Sequence, residues 1–361
     1  MKRRPFVTAL LAASALPVRA AASVPDRRLG LVIASYSHRW KGKYSNVRIP
    51  PFKDALDVLD HIRSLGFGCL QTGVEGWTLD LAKQIRQTCE SYDMAVEGSV
   101  KLPVAEADVS RFERELRTAR EAGVTVFRSA MGGRRYEVFT RQADFESWKT
   151  AALKSMTLAE PVLRKLQAKV GIENHKDWQV AELLSALKAL SSEHVGACVD
   201  TGNSLALLED PLAAVQALAP YAVTVHLKDI AVRSDSRGFS MSEVPLGQGS
   251  LDLPRVIATL TAARPGVRLN LEMITRDPLE IPCLEERYWA TFPDKPGLDL
   301  ARSLSWVRQH ESPALPRVSH LSPPALLALE EENLRQCLRY ASEKLGFKPS
   351  PLPANPSSSG H

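Results

Sequence analysis

Short apolar runs and longer amphipathic stretches alternate along the chain from Leu29 onward, and the alternation repeats eight times. The runs LGLVIASY (29–36), GCLQTGV (68–74), AVEGSV (95–100), TVFRSAM (125–131), VGIENH (170–175), VGACVDTG (195–202), AVTVHLKD (222–229) and VRLNLEMI (267–274) read as strands buried on both faces. Between them, stretches such as 51–67, 109–124 and 179–192 carry apolar residues at helical spacing with charges opposite. Buried strands joined by helical crossovers make a parallel sheet covered by helices. Eight such units in roughly 250 residues match an α/β fold of the (β/α)8 TIM-barrel type, placed here at 29–282. An open doubly wound sheet is the alternative, but no GxGxxG follows the first strand.

Two stretches depart from a bare barrel. Between the seventh and eighth strands, RSDSRGFSMSEVPLGQGSLDL (233–253) is expected as a long loop on the catalytic rim, a candidate lid or substrate clamp. A C-terminal extension (283–347) starts proline-rich and irregular from Glu285 to Pro323. It ends in an amphipathic helix over 323–347, expected against the barrel or against a second subunit in a homo-oligomer. The tail 348–361 has the composition of a disordered segment.

Residues 1–22 have a basic start (Lys2, Arg3, Arg4), an apolar run from Phe6 to Val18 and small residues at Ala20–Ala22. This is the layout of a cleavable secretory signal, with an Arg pair resembling the twin-arginine type, and it implies a periplasmic or otherwise exported protein. Its apolar run is too short for a permanent membrane span. The formal net charge of +5 falls to +1 without Lys2, Arg3, Arg4 and Arg19, which gives no electrostatic ground for a nucleic-acid partner. Five dispersed cysteines without a CxxC pair argue against a disulfide framework and leave open one bridge, such as Cys69 to Cys89.

Chemistry in such a barrel sits at the C-terminal ends of the strands. There the fifth run carries Glu173, the sixth Asp200, the seventh His226 and the eighth Glu272, each after three mainly apolar residues and so at matching height. With neighbouring strands about 4.8 Å apart, four inward side chains converge. Any one of them alone is an ordinary strand-end polar residue. Three carboxylates together cannot all stay ionised without a cation, and three oxygens with one imidazole suit a divalent Mn, Zn, Co or Mg ion.

The segments IENH, CVDTGNSLAL, VHLKD, VPLGQGSLDL and LNLEM, in this order and spacing, carry a specific resemblance over about 29–276. The chain resembles the xylose isomerase-like TIM barrel superfamily, the sugar phosphate isomerase/epimerase group, and its tail helix is similar to one in exported members. The resemblance implies that Glu173, Asp200, His226 and Glu272 bind one divalent metal. It also implies proton abstraction next to a carbonyl of a sugar through a metal-stabilised enediolate, with Glu173 and Glu272 as base and acid. Epimerisation and aldose–ketose isomerisation remain equal outcomes. Export favours a free sugar, keto-sugar or glycoside as the carbohydrate substrate over a phosphorylated one. The alternatives are a metal-dependent lyase or hydratase acting on 3-keto-glycosides, and a non-catalytic exported sugar-binding barrel. The superfamily's endonuclease IV branch needs more histidines than the eight here and a basic surface.

Other positions are candidates for substrate contact. Asn203 stands where many epimerases of the group have a second His. His175 and Lys228 lie two residues beyond Glu173 and His226, a spacing that on a strand returns to the same face. They read equally as substrate donors or as rim salt bridges with Asp177 or Asp229, while Asn174 points away and Lys176 reads as surface. Gln71, Glu97 and Arg128 end earlier strands and line the pocket, or Glu97 and Arg128 pair with each other. His38, Arg39 and Trp40 form a sugar-facing wall or a plug, and GQGS (247–250) a phosphate cradle or a lid turn.

Overall fold

A computed structural model describes residues 28–42, 44 and 48–349. The signal-like segment 1–22 lies outside the described residues, as does the tail from 350 onward. Eight parallel strands close into a barrel: β1 (Gly30–Val32), β2 (Cys69–Gly73), β3 (Ala95–Ser99), β4 (Val126–Ser129), β5 (Lys169–Glu173), β6 (Val195–Asp200), β7 (Ala222–Leu227) and β10 (Leu269–Leu271). β10 pairs with both β7 and β1, which completes the ring.

Helices cover the ring where the sequence supplies caps and an apolar face. Asp54 accepts the N–H groups of Leu56 and Asp57 to start helix Ala55–Leu65, and Gly66 ends it in the left-handed region at φ 107°. Asp210 and Asp252 cap helices Pro211–Leu218 and Leu253–Ala263 in the same way, each with a proline in its first turn. The buried stripe of Val109–Glu121 is Phe112, Leu116 and Ala119, spaced as a helical face facing the strands. At Gly171 a Cβ would lie 2.7 Å from the Cys198 backbone N, so β5 and β6 approach more closely there than any side chain allows.

Register corrects the premise of equal heights. His226 lies beside Asp200, but Glu173 lies beside Cys198 and His226 beside Asn270. Glu173 and Glu272 are thus each displaced by two residues from their neighbours' ligands. A tilted barrel requires this shear, and a two-residue step keeps every side chain on the inner face.

Two expectations about the non-barrel segments fail. The stretch 233–253 is largely an antiparallel hairpin, β8 (Asp229–Asp235) with β9 (Gly238–Val244), extended by β11 (Leu279–Ile281) into a three-stranded sheet. Its buried side, Ile230, Val232, Phe239 and Met241, packs on Tyr136, Tyr288 and Phe292, so this rim is built on a second core and is not a loose loop. Nor is 285–323 irregular throughout, because Gly297–Gln309 is a helix with Val307 buried. Helix Pro323–Lys344 docks on the barrel: Glu330 accepts the backbone N–H groups of His38 and Arg39, and Tyr36 donates its hydroxyl to Glu331. All five cysteines are free and buried, including Cys69 and Cys89.

Candidate metal centre and active site

The centre rests on a polar floor inside the barrel. Glu97 Oε2 accepts from Gln71 Nε2 at 3.1 Å, Thr224 Oγ1 at 2.7 Å and Asn270 Nδ2 at 2.9 Å, and Arg268 lies 3.5 Å from its other oxygen. Glu97 is therefore neither a substrate-pocket residue nor a partner of Arg128. With its amide nitrogen committed to Glu97, Gln71 presents Oε1 upward, 2.7 Å from His226 Nε2. That oxygen can only accept, so Nε2 carries a proton and Nδ1 is the nitrogen turned to the carboxylates; against its burial, Cys198, Glu272 and Glu173 hold the imidazole well above its usual range.

Nδ1 faces Glu272 at 3.4 Å, Glu173 at 3.7 Å and Asp200 at 3.9 Å. The four groups offer ligand atoms that all lie within 4.8 Å of one another, and all four are buried. His226 Nδ1 has no hydrogen-bond partner, and Asp200 Oδ2 has none of acceptable geometry although Lys228 lies 2.8 Å away. A basic nitrogen without a donor, ringed by three carboxylates, fits a divalent cation. Cys198 Sγ belongs to an overlapping group with Glu173 and His226, but burial pushes its thiol up to about 11, which disfavours the ligating thiolate.

Each carboxylate is held by a cation or by backbone. Burial works against ionising Glu173, and Arg128, whose Nε donates to Oε2 at 2.5 Å, together with His226 outweighs it and holds the carboxyl well below its usual range. Glu272 likewise stays low against its burial because Lys228 donates to Oε2 at 2.6 Å. Asp200 turns Oδ1 to the N–H groups of Gly202 and Asn203, while Asn174 clamps its backbone from both sides. Lys228 is thus no rim bridge to Asp177 or Asp229: it sits inside the cluster, 3.8 Å from Glu243, which Arg276 holds from outside.

The strand ends at Glu173, so the two-residue rule stops there. His175 Nδ1 meets the Gly132 carbonyl at 3.1 Å, and burial pushes the imidazole down to about 4. Lys176, read as surface from the sequence, is buried, with Nζ 2.5 Å from Asn203 Oδ1. Asn203 passes Nδ2 to Glu173 Oε1 at 3.2 Å. Glu243 and Arg276 had no sequence signal, since both reach the site through the hairpin sheet and the turn after β10.

Around the rim, the glycine loop closes on the protein itself. The N–H groups of Gly247, Gly249 and Leu251 all go to the Asp229 carboxylate, so no phosphate cradle is left. His38 bonds the Thr275 carbonyl at 2.7 Å, Arg39 stacks on Phe52 and Trp40 packs on the core, which makes this segment a plug. A cavity of about 570 Å³ opens beside Arg128, lined by Ser99, Lys101 and Ala130 among others.

A family model described as xylose isomerase-like TIM barrel matches residues 59–310. The chain belongs to that family. Across 252 residues it is 23% identical to the 3-oxo-isoapionate decarboxylase of Pectobacterium atrosepticum, covering 68% of this chain and 84% of the relative. Among solved structures, D-psicose 3-epimerase determined in the presence of D-fructose superposes with a TM-score of 0.58 at 14% identity, covering 88% of this chain and 99% of that one. A xylose isomerase-like barrel from Mycobacterium smegmatis in complex with magnesium superposes at 0.50 and 16% identity, with 79% and 99% covered. At these identities the structural likeness establishes the fold, which this chain shares with sugar epimerases.

Proposed function

We propose that this xylose isomerase-like barrel is a divalent-metal-dependent sugar isomerase or epimerase that removes a proton from the carbon next to a carbonyl. The observation that carries the proposal is the unpartnered His226 Nδ1 facing Glu173, Asp200 and Glu272. Those four residues would hold the ion, which when bound supplies Lewis-acid polarisation of a substrate carbonyl. Glu173 and Glu272 are the proton carriers. Arg128 and Lys228 each occupy one carboxylate oxygen and keep the group ionised at rest, so the other oxygen, which in Glu173 also accepts from Asn203 Nδ2, is the one turned to the centre where a substrate C–H would lie. A proton taken by one and returned by the other to the opposite face of the same carbon inverts it, whereas return to the neighbouring carbon isomerises. His175, neutral and giving its Nδ1–H to the Gly132 carbonyl, keeps Nε2 as an acceptor for a substrate hydroxyl, and Asn203 has a second Nδ2 hydrogen to donate to a substrate oxygen. Burial of all four central groups keeps water from competing for the proton.

The test has two parts. Metal analysis of purified protein is expected to find about one divalent ion per chain, and incubation in D2O with a panel of keto-sugars to place deuterium at the carbon beside the carbonyl. Absence of both would sink the proposal. A second reading, a lyase, is favoured by the decarboxylase among the relatives. It predicts loss of carbon dioxide or water from the substrate in place of a stereoisomer. We also propose, from the pattern of residues 1–22, that the enzyme is exported, which fractionation of cells expressing the full chain would test.

A further inference from the structure

Lys176 is not needed for proton transfer, yet it is buried beside the site. Only 3% of it is exposed, and its Nζ finds Asn203 Oδ1 at 2.5 Å. Among the described residues no carboxylate lies within 4.0 Å of that ammonium. Lys228 Nζ approaches the same amide oxygen at 3.5 Å, so two ammonium groups share one neutral acceptor, and only Lys228 has carboxylates of its own. An ammonium taken out of water without an anion is among the costliest groups to bury. Burial first, and Lys228 second, push Lys176 down to about 8.

The charge balance of the whole cluster points the same way. Glu173, Asp200, Glu243 and Glu272 face Arg128, Lys176, Lys228 and Arg276 in one connected set of ion pairs and hydrogen bonds. Four negative and four positive groups balance, and a divalent cation leaves the pocket two charges positive. Glu243 and Asp200 act on Lys176 from beyond ion-pair distance and are engaged by Lys228 and Arg276, so a carboxylate brought by the substrate would be its first direct counter-charge.

We propose that Lys176 receives a carboxylate carried by the substrate, which makes the substrate a sugar acid or keto acid and not a neutral sugar. The proposal rests on the reading of this site as a metal-dependent carbohydrate site. A carboxylate is favoured over a phosphate because a dianion needs several donors, and the glycine-loop N–H groups that could supply them are taken by Asp229. Asn203 then moves from sole acceptor of the ammonium to its spacer, with Nδ2 still on Glu173.

The test is titration calorimetry of the full chain, with and without Mn²⁺, against D-erythronate, its neutral counterpart erythritol, and inorganic phosphate. Erythronate is expected to bind at least about tenfold tighter than erythritol. Lys176→Met is expected to abolish that preference while leaving erythritol binding and Mn²⁺ binding unchanged, and Lys176→Arg to retain it. Equal affinity of wild type for acid and alcohol overturns the proposal without any variant, so a misfolded variant cannot rescue it. Persistence of the preference in Lys176→Met overturns it as well, as does tighter binding of phosphate than of erythronate. An acid preference that is lost in Lys176→Met supports the lysine's role even where no Mn²⁺ binds, in which case the metal reading alone fails. Mn²⁺ binding without an acid preference removes the lysine's role and leaves the metal centre standing.

Discussion

Gln71 Oε1 accepts the Nε2–H of His226 at 2.7 Å across the barrel interior, and the amide that fixes this oxygen upward is itself held by Glu97. The pair decides which imidazole nitrogen faces the carboxylates. Replacing the amide by an apolar group of similar size, Gln71→Leu, leaves the tautomer free and the ring unanchored. Affinity for Mn²⁺ is expected to fall by about 10–100-fold, measured by calorimetry, with the ligand set intact.

Removing a ligand charge has a larger effect than removing a support. Glu272→Gln and Asp200→Asn are each expected to leave the purified protein with far less than about one ion per chain by elemental analysis. Glu173→Gln takes away a proton carrier as well. Its rate of solvent deuterium exchange into substrate is expected to drop by roughly 10²–10⁴-fold, and a variant that exchanges like wild type would remove Glu173 from the chemistry.

The tail helix carries a pH signature that can be read separately from the site. Burial raises Glu330 to about 7, against the opposing hydrogen bonds from the N–H groups of His38 and Arg39. Between about 4.5 and 7 the folded chain holds a proton there that the unfolded chain has lost, so this group's contribution to stability declines as pH rises through that window. Glu330→Gln cannot ionise, though its single amide oxygen keeps an acceptor for only one of the two N–H groups at every pH. Relative to wild type it is expected to gain stability as pH rises from 5 to 8, by at most on the order of 3 kcal/mol, in denaturant titrations at each pH.

Asp229 is the staple of the rim. Its carboxylate accepts four backbone N–H groups, those of Ile230, Gly247, Gly249 and Leu251. Asp229→Ala strands these donors and is expected to cost about 2–4 kcal/mol, read from denaturant unfolding. Gly249→Ala tests the same contact from the other side, because its Cβ would lie 2.1 Å from Asp229 Oδ1 and 2.6 Å from the Ile230 carbonyl. It is expected to lower the thermal midpoint by several degrees.

Near-continuous apolar runs and amphipathic crossovers are local properties, so the barrel and the positions of Glu173, Asp200, His226 and Glu272 at its strand ends were legible in the amino-acid order alone. The carboxylates and the imidazole close each strand in the same phase, and the ring's closure only had to bring them together. Everything that modulates those four was decided by tertiary structure. Lys176 lies beyond the end of β5, where alternation no longer says which way a side chain points, and it turns inward to Asn203. Glu97 obeys the strand pattern but sits below the centre, a height that depends on barrel shear and not on spacing. Glu243 comes from the hairpin and Arg276 from the turn after β10, 33 residues further along the chain, and Glu330 returns from the far end of the chain to cap the first strand's exit. Contacts between segments so distant along the chain leave no periodic trace in either one. Their chemistry exists only once the chain has folded around it.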